Sequence, residues 1–492
     1  MQLRYLYSSL LAAFLCFAAS AQEQLGLRVH AFAGINGALL NPAAPATSPF
    51  AWDVNLVEGA FFFANNYAFI RDSRILDLVR ARESAEFFSA PDFPDDAELP
   101  ENGFLVDFFS DGRKQFANML SSFTGPSFFF RIGEAHTIGL VTRARFMATG
   151  NGISDNLSYF IYEDRPFFEE FVVEPFRMGF MGWSEYGLNY TYAAETEAGK
   201  LSIGATLRYL QGYEGAYLRS REAFDLTKLP GRTLSGTPFD FGLGYSRGLL
   251  EAESYELQRN GRGFAADLGF TYTIGEEEGA YDWKIGVSLL DLGGIRFNGA
   301  QHRIQTPDIR SVTAADYDDI RSASEFENKL RVFSAQTLSD SSASFQGNAF
   351  TMSLPTAFSL QLDRAFSEKF AVNATYVQGV PVGAAGVQRG AMLALTPHFG
   401  NRWFGAAIPV SLYNWQQLRL GLSVRLAFLT IGSDQIGSIF SRRDLSGTDF
   451  YFALKVNPFK IRSSEKEHKK GYSRGGAKRM KAGNAKVKCY DW

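Results

Sequence analysis

The chain has 492 residues, 46% hydrophobic and 15% aromatic, with 47 Gly, 46 Phe, only 2 Cys and a net charge of −3. Two thiols cannot build a disulfide scaffold or a four-thiolate metal site, and so small a net charge excludes a general polyanion binder. No apolar run of eighteen follows the first twenty residues, which excludes helical membrane spans and leaves a Phe- and Gly-rich β protein.

Residues 1–21 have the form of a secretory signal peptide: Arg4, an apolar stretch from Leu10 to Ala19, then Ala19-Ser20-Ala21 as a small-x-small cleavage site. Leu15 stands before Cys16 where a lipoprotein signal carries a small residue, so lipidation is not expected. Residues 22–50 contain Gly34, Gly37, Leu39-Leu40 and the turn Asn41-Pro42. Two readings stay open for this segment: a plug tucked into a barrel mouth, or a plain periplasmic lead-in to the first strand.

From residue 51 to 459 the informative signal is period-two alternation. It runs from Trp52 to Ala64, Ile138 to Thr149, Trp183 to Ala193 and Leu201 to Tyr209. It returns from Phe264 to Ile274, Trp283 to Ile295, Ala357 to Asp363, Phe370 to Gln378, Ala391 to Phe399, Trp403 to Leu412, Leu418 to Phe428 and Phe450 to Val456. Several of these runs reach about ten residues, the length a tilted strand needs to cross an outer membrane, whereas soluble strands usually stop near five or six. Trp183, Tyr190, Tyr192, Tyr209, Trp283, Trp403, Tyr413 and Trp415 sit at run ends, as interfacial girdles require. Short turns such as Gly133 to His136 and Glu197 to Lys200 alternate with long polar stretches: Arg71 to Gly125, Gly150 to Phe180, Gly215 to Asp240 and Phe297 to Gly347. The expected fold is therefore all-β, a transmembrane antiparallel barrel of about 14 strands in the outer membrane, with long extracellular loops and short periplasmic turns. Whether Phe239 to Arg247 forms its own crossing decides between 13 and 14, and an even number is expected when both ends are periplasmic. Leu445-x-Gly447-x-x-Phe450-x-Phe452 fits the pattern of barrel-terminal strands read by the barrel assembly machinery.

Residues 460–492 carry 11 Lys+Arg against 3 acids, a net of +8, while Gln22 to Phe459 carries 37 bases and 49 acids, a net of −12. This basic tail reads as a disordered periplasmic segment able to meet acidic partners, lipid phosphates or cell-wall carboxylates. Export removes nucleic acid as a partner; outer-membrane lipid and lipopolysaccharide are the surroundings expected.

Leu40-Asn41-Pro42-Ala43, Trp52 to Leu56, Asn65-Asn66-Tyr67, Glu185 to Leu188, Ile285 to Gly293 and Leu429 to Asp434 together resemble an uncharacterised family of outer-membrane β-barrels from Bacteroidota, a domain of unknown function. The early Asn-Pro-Ala is also similar to the N-terminal segment of long-chain fatty-acid transporter barrels and of the related shuttle barrel of type IX secretion. These resemblances imply fold and location more than activity.

The inventory for catalysis is poor. His30, His136, His302, His398 and His468 are far apart in sequence, no Cys-x-x-Cys exists, and Gly244-Tyr245-Ser246-Arg247-Gly248 lacks the helix that follows a nucleophile elbow. No enzyme activity, cofactor or metal is expected. The acids Glu163-Asp164, Glu169-Glu170, Asp316, Asp318-Asp319, Glu325 and Glu327 are spaced too irregularly for a calcium loop and read as solvated. A charge facing hydrocarbon at mid-depth costs roughly 2–4 kcal/mol, which turns Arg143, Arg145, Arg208, Lys284, Arg419, Arg425 and Lys455 toward the lumen, with Asp267 and Asp363. Two readings stay open for them: a basic constriction for anionic or amphipathic solutes, or internal ion pairs in a closed barrel. The chain is thus expected to be a channel or transporter for small anionic or amphipathic molecules; the alternative is a non-transporting partner barrel of secretion or envelope machinery with the tail as docking segment.

Overall fold

Alternation produces one continuous antiparallel sheet that closes on itself. The computed structural model describes residues 23–94, 97–157, 165–246, 258–275, 281–306, 308, 310–313 and 323–458. Residues 1–21, read as a signal peptide, residues 460–492, read as a disordered tail, and Arg247, Glu163-Asp164, Asp316 and Asp318-Asp319 lie outside these residues.

The barrel has 14 strands. β1 is Trp52–Asn65, β2 comprises Gln115–Thr124 and Ser127–Ile132, β3 is His136–Ile153, β4 Arg177–Thr196 and β5 Gly199–Ser220. β6 comprises Asp240–Ser246 and Gly261–Ile274, β7 is Trp283–Gln305, β8 comprises Phe345–Ser353 and Ala357–Ala365, and β9 is Phe370–Gly379. β10 is Met392–Gly400, β11 comprises Phe404–Ala407 and Val410–Tyr413, β12 Gln417–Leu420 and Leu422–Leu426, β13 is Leu429–Ser433 and β14 Gly447–Val456. β14 pairs with β1 from Val54↔Val456 to Ala64↔Gly447 and closes the cylinder.

Several strands are broken by a local cause. β2 is interrupted at Gly125-Pro126, β8 at Leu354-Pro355-Thr356 and β11 at Ile408-Pro409, because proline has no N–H to give the ladder. β6 is split by residues 247–260: Tyr245 pairs with Ala216 and Gly261 with Gly212 on the same neighbour, β5. The strand within the Phe239 to Arg247 run, Asp240–Ser246, is therefore the outer end of β6 and makes no crossing of its own. Two strands escaped the alternation count. The first half of β2, Gln115–Thr124, lay inside Arg71 to Gly125, read as a loop, and Leu418 to Phe428, read as one run, ends in the Ala427-Phe428 turn that leads into β13.

The outward face is apolar. On β4, Tyr186, Leu188, Tyr190 and Tyr192 are exposed while Glu185, Gly187, Asn189 and Thr191 between them are buried. Ile203, Leu207, Phe264, Leu268, Leu360, Leu395, Leu418 and Leu420 continue the band, with Phe264 and Leu418 each 74% exposed. A band this continuous exceeds what a soluble monomer exposes, and the charges it excludes lie inside; the cylinder is a transmembrane barrel. No helix among the described residues is long and apolar enough to cross a membrane.

At the long-loop end the connections fold into two lobes rather than polar coils. One is a four-stranded sheet (Glu170–Val173, Phe224–Leu229, Thr233–Gly236, Arg310–Thr313) beside helix Ala323–Leu338, around Phe171, Phe224, Phe239, Ile304 and Leu330. The other joins Ala68–Ser73, Glu86–Ser89, Gly103–Phe108 and Arg443–Leu445 over helix Ile75–Ala81.

Candidate functional site

Residues 23–50 enter the barrel at the short-turn end and fill it. Gly34, Gly37, Pro42 and Pro45 prevent a long helix, so the segment is a chain of short turns, Leu25–Arg28, Gly34–Leu39 and Ala44–Thr47. Buried irregular backbone must find hydrogen-bond partners elsewhere, and the inward side chains of many strands supply them. Asp434 accepts from Leu25 N at 3.1 Å, and Asp53 from Ile35 N at 3.0 Å. Ser288 and Gln361 donate to Leu40 O at 2.7 and 3.3 Å, Asn189 and Thr191 to Pro42 O at 3.1 and 3.0 Å. Arg131 donates to the carbonyls of Pro45, Ala46 and Ser48, and Lys455 to those of Phe32 and Ala33.

Asn41 and Pro42 sit at the centre of this seat. Asn41 Nδ2 donates to Phe270 O and Gln361 Oε1, both at 3.0 Å. The facing strand positions are Gly204, Gly269 and Gly286; a Cβ at Gly204 or Gly269 would strike the Asn41-Pro42-Ala43 backbone or side chains, and one at Gly286 would strike Gln361. The described part of residues 22–50 thus lies inside the barrel, bonded to its wall, and is called the plug.

A layer of buried charge spans the lumen above it. Arg143 contacts Glu185 at 2.6 Å, and Arg145 contacts Glu185 at 2.8 Å and Asp291 at 2.6 Å. Arg208 contacts Glu185 at 2.5 Å, Asp291 at 2.8 Å and Asp267. Asp291 has φ +58 at a bulge in the β6–β7 register, which turns its carboxylate inward beside Leu290. Arg389, from the connection between β9 and β10, completes the layer with Asp291 at 2.8 Å and reaches the plug at Glu23, 3.5 Å away. Four guanidiniums thus face the four carboxylates of Glu23, Glu185, Asp267 and Asp291.

Three of the seven predicted lumen cations, Arg143, Arg145 and Arg208, meet in this layer; the other four do not, Lys455 lying 3.2 Å from Asp53 beside the plug. Arg419 lies over the rings of Phe62 and Tyr413, at 4.9 and 4.3 Å, and donates to Gln417. Arg425 donates to the carbonyls of Arg402 and Asn401 and rests on the Phe32 ring of the plug at 4.8 Å. Lys284, near the short-turn end, is 3.9 Å from Asp363, which also meets His398 at 3.3 Å. Ser246 of the Gly-x-Ser-x-Gly match lies buried on β6 and donates to Glu214.

Beyond the charged layer the interior becomes apolar: Met147, Met181, Trp183, Phe297, Phe350 and Met352 share one cluster. Trp183 and Tyr413, read from sequence as girdle residues, belong to this interior; the bulge at Gly212/Glu214 opposite Trp183 shifts the register there. Arg145 stacks on the Trp183 ring at 4.5 Å, joining the two zones. The β9–β10 connection, Val380 to Ala391, folds down into this space. Ser353 N donates to Ala385 O at 2.9 Å, Gln388 N to Thr149 Oγ1 at 3.2 Å, and Val387 is buried. The lumen is therefore stoppered from both ends, and Arg389 touches both stoppers.

Sequence reasoning missed Glu23, Glu185, Asp291 and Arg389. A signal was present for the last: Pro381 to Val387 is small and apolar, unlike the acidic connections, as an inward loop requires.

Residues 42–434 match a family of unknown function, DUF5723. No curated protein matches. Among solved structures, the chain is similar to the P. putida toluene transporter TodX (10% identity, 86% of this chain and 94% of that one, TM-score 0.40). It is also similar to the translocator domain of autotransporter NalP from Neisseria meningitidis (9% identity, 89% and 100%, TM-score 0.32). A third is a FadL homologue from Pseudomonas aeruginosa (11% identity, 89% and 98%, TM-score 0.29).

Proposed function

Because the chain belongs to a family of unknown function, DUF5723, its role is read from its own geometry, and we propose a gated outer-membrane channel for small amphipathic molecules with an anionic head. The observation that carries this reading is the layering of the lumen. An apolar zone of Phe, Met and Trp lies directly against a layer of arginines, and both are stoppered by peptide segments. A 14-strand cylinder is too wide for side chains alone to fill. Here the filling is chain anchored by hydrogen bonds and ion pairs: Arg28–Glu58 at 3.3 Å and Arg389–Asp291 at 2.8 Å hold the two stoppers to the wall, and Glu23–Arg389 at 3.5 Å joins them, so opening means exchanging these contacts. The balanced charges favour internal pairing over a standing basic pore, so the described state is shut and opening requires a stopper to shift. The extracellular face is the long-loop end in this reading.

The alternative, a non-transporting partner barrel, draws its support from the two folded lobes and from Phe167 and Phe168, which are 56% and 71% exposed on the first of them. Proteoliposomes separate the two. A transporter passes medium-chain carboxylates faster than protein-free vesicles do, while small hydrophilic ions stay out. Carboxylate flux at the protein-free level, for both the native chain and variants with loosened stoppers, would sink the transport reading.

A further inference from the structure

The deep arginines have carboxylate partners; two at the long-loop mouth have none among the described residues. Arg177 on β4 and Arg219 on β5 are directly opposed cross-strand neighbours, a placement that is destabilising for like charges. Neither has a carboxylate at ion-pair distance among the described residues, and neither is otherwise engaged beyond the bond from Arg219 to Ala384 O at 2.7 Å. The Arg219 Nε–H is buried without an acceptor. Two further guanidiniums nearby, Arg221 and Arg303, share the one carboxylate of Asp240 at 3.7 and 2.8 Å. The barrel body is acidic overall, so this excess of positive charge is local. Arg177 and Arg219 line a narrow cleft between the wall and the inward β9–β10 connection, whose apolar surface comes from Tyr217 on one side and Pro381, Val382 and Val387 on the other.

We propose that this cleft is the outer receiving site for the anionic head of an amphipathic molecule, the Arg177 and Arg219 guanidiniums taking its carboxylate and the apolar rim taking its chain. The assignment deepens the channel reading and rests on it for the identity of the passenger. Planar guanidiniums suit a carboxylate because they offer paired donors in a fixed fork. A carboxylate also competes with the Ala384 carbonyl for Arg219, so its arrival loosens the connection that stoppers the lumen from this side.

Binding of decanoate, decanol and inorganic phosphate to the purified full chain in nanodiscs tests the site. The expected order is decanoate first, with decanol and phosphate each at least tenfold weaker. R177A/R219A should lose at least tenfold for decanoate alone and keep the gel shift between boiled and unboiled samples. R177K/R219K, which keeps charge but not the fork, should fall between. Unchanged decanoate affinity in R177A/R219A overturns the site even if proteoliposomes transport carboxylates. Conversely, arginine-dependent binding without transport keeps the site and overturns the channel. Binding displaced by lipopolysaccharide in the nanodisc, with decanoate unable to compete, assigns the arginines to a lipid headgroup and overturns the free-ligand assignment.

Discussion

Replacing Arg389 by Ala should open the barrel, and the structure says where the cost falls. Asp291 is not orphaned by the change, because Arg145 at 2.6 Å and Arg208 at 2.8 Å still hold it. Glu23 is different. It is 2% exposed, neither of its carboxylate oxygens has a hydrogen-bond partner, and Arg389 at 3.5 Å is its ion pair. Leaving a buried charge uncompensated costs about 3–5 kcal/mol. At about 1.4 kcal/mol per decade, that raises the population of the displaced plug roughly a hundred- to several-thousand-fold. In planar bilayers the native chain should be nearly silent, and R389A should show frequent openings. The double variant E23Q/R389A carries no orphaned charge and should close again by at least tenfold in open probability, a non-additivity expected of a direct pair. R389A as silent as the native chain, or E23Q/R389A as open as R389A, would refute the coupling of the two stoppers through this residue.

Three other outcomes follow from the same geometry. Gly204→Ala places a Cβ against the Pro42 backbone and should raise leak conductance while the unboiled gel band stays compact, since the strand ladder itself is untouched. His30 accepts Phe32 N–H on Nδ1 at 3.0 Å and is held well below the usual histidine range, chiefly by burial and then by His398 and Arg425. A displaced plug exposes His30 at its ordinary value near 6.5, so the seated plug is fully favoured above that pH and loses up to about 1.4 kcal/mol per unit as pH falls below it. Openings should therefore increase on acidification to pH 5 and do so less in H30Q; equal acid responses would remove His30 from the account. Leu188→Arg puts a cation on the lipid face and should destabilise bilayer-folded protein by roughly 2–4 kcal/mol in denaturant titration, against near-neutrality if that face were not in lipid.

The barrel was legible because lipid outside and packed polar groups inside force every crossing strand into period two. Where the reading failed, the chain lacked the marks that reveal a strand or a turn. β2 is broken by Gly125-Pro126 and aromatic on consecutive positions from Phe128 to Phe130, which blurs its alternation. The Leu418 to Phe428 run overran β12 into its turn and β13 went uncounted, because that turn is made by Ala427, with φ +51, and Phe428, residues without turn signature. The inward direction of Arg143, Arg145 and Arg208 followed from the cost of charge in lipid. Of their partners only Asp267 followed with them; Glu185 and Asp291 did not, because which strands face each other across the lumen is not written in the pattern and a bulge sets the direction of Asp291. The seat of Asn41-Pro42 was half visible: the turn is plain in sequence, while its socket is made of glycines that could each have been ordinary strand residues.

The order of segments along the polypeptide sets a constraint on biogenesis. Residues 23–50 run straight into β1, and β14 is the last strand to join it. Once that seam has zipped, the Arg131, Asn189 and Gln361 side chains that grip the stopper lie on a ring of continuous ladder, and the far mouth is occupied by Val380 to Ala391. The cork precedes in the chain every strand that grips it, so its contacts are on offer as each strand joins, a mandrel around which the curved sheet wraps.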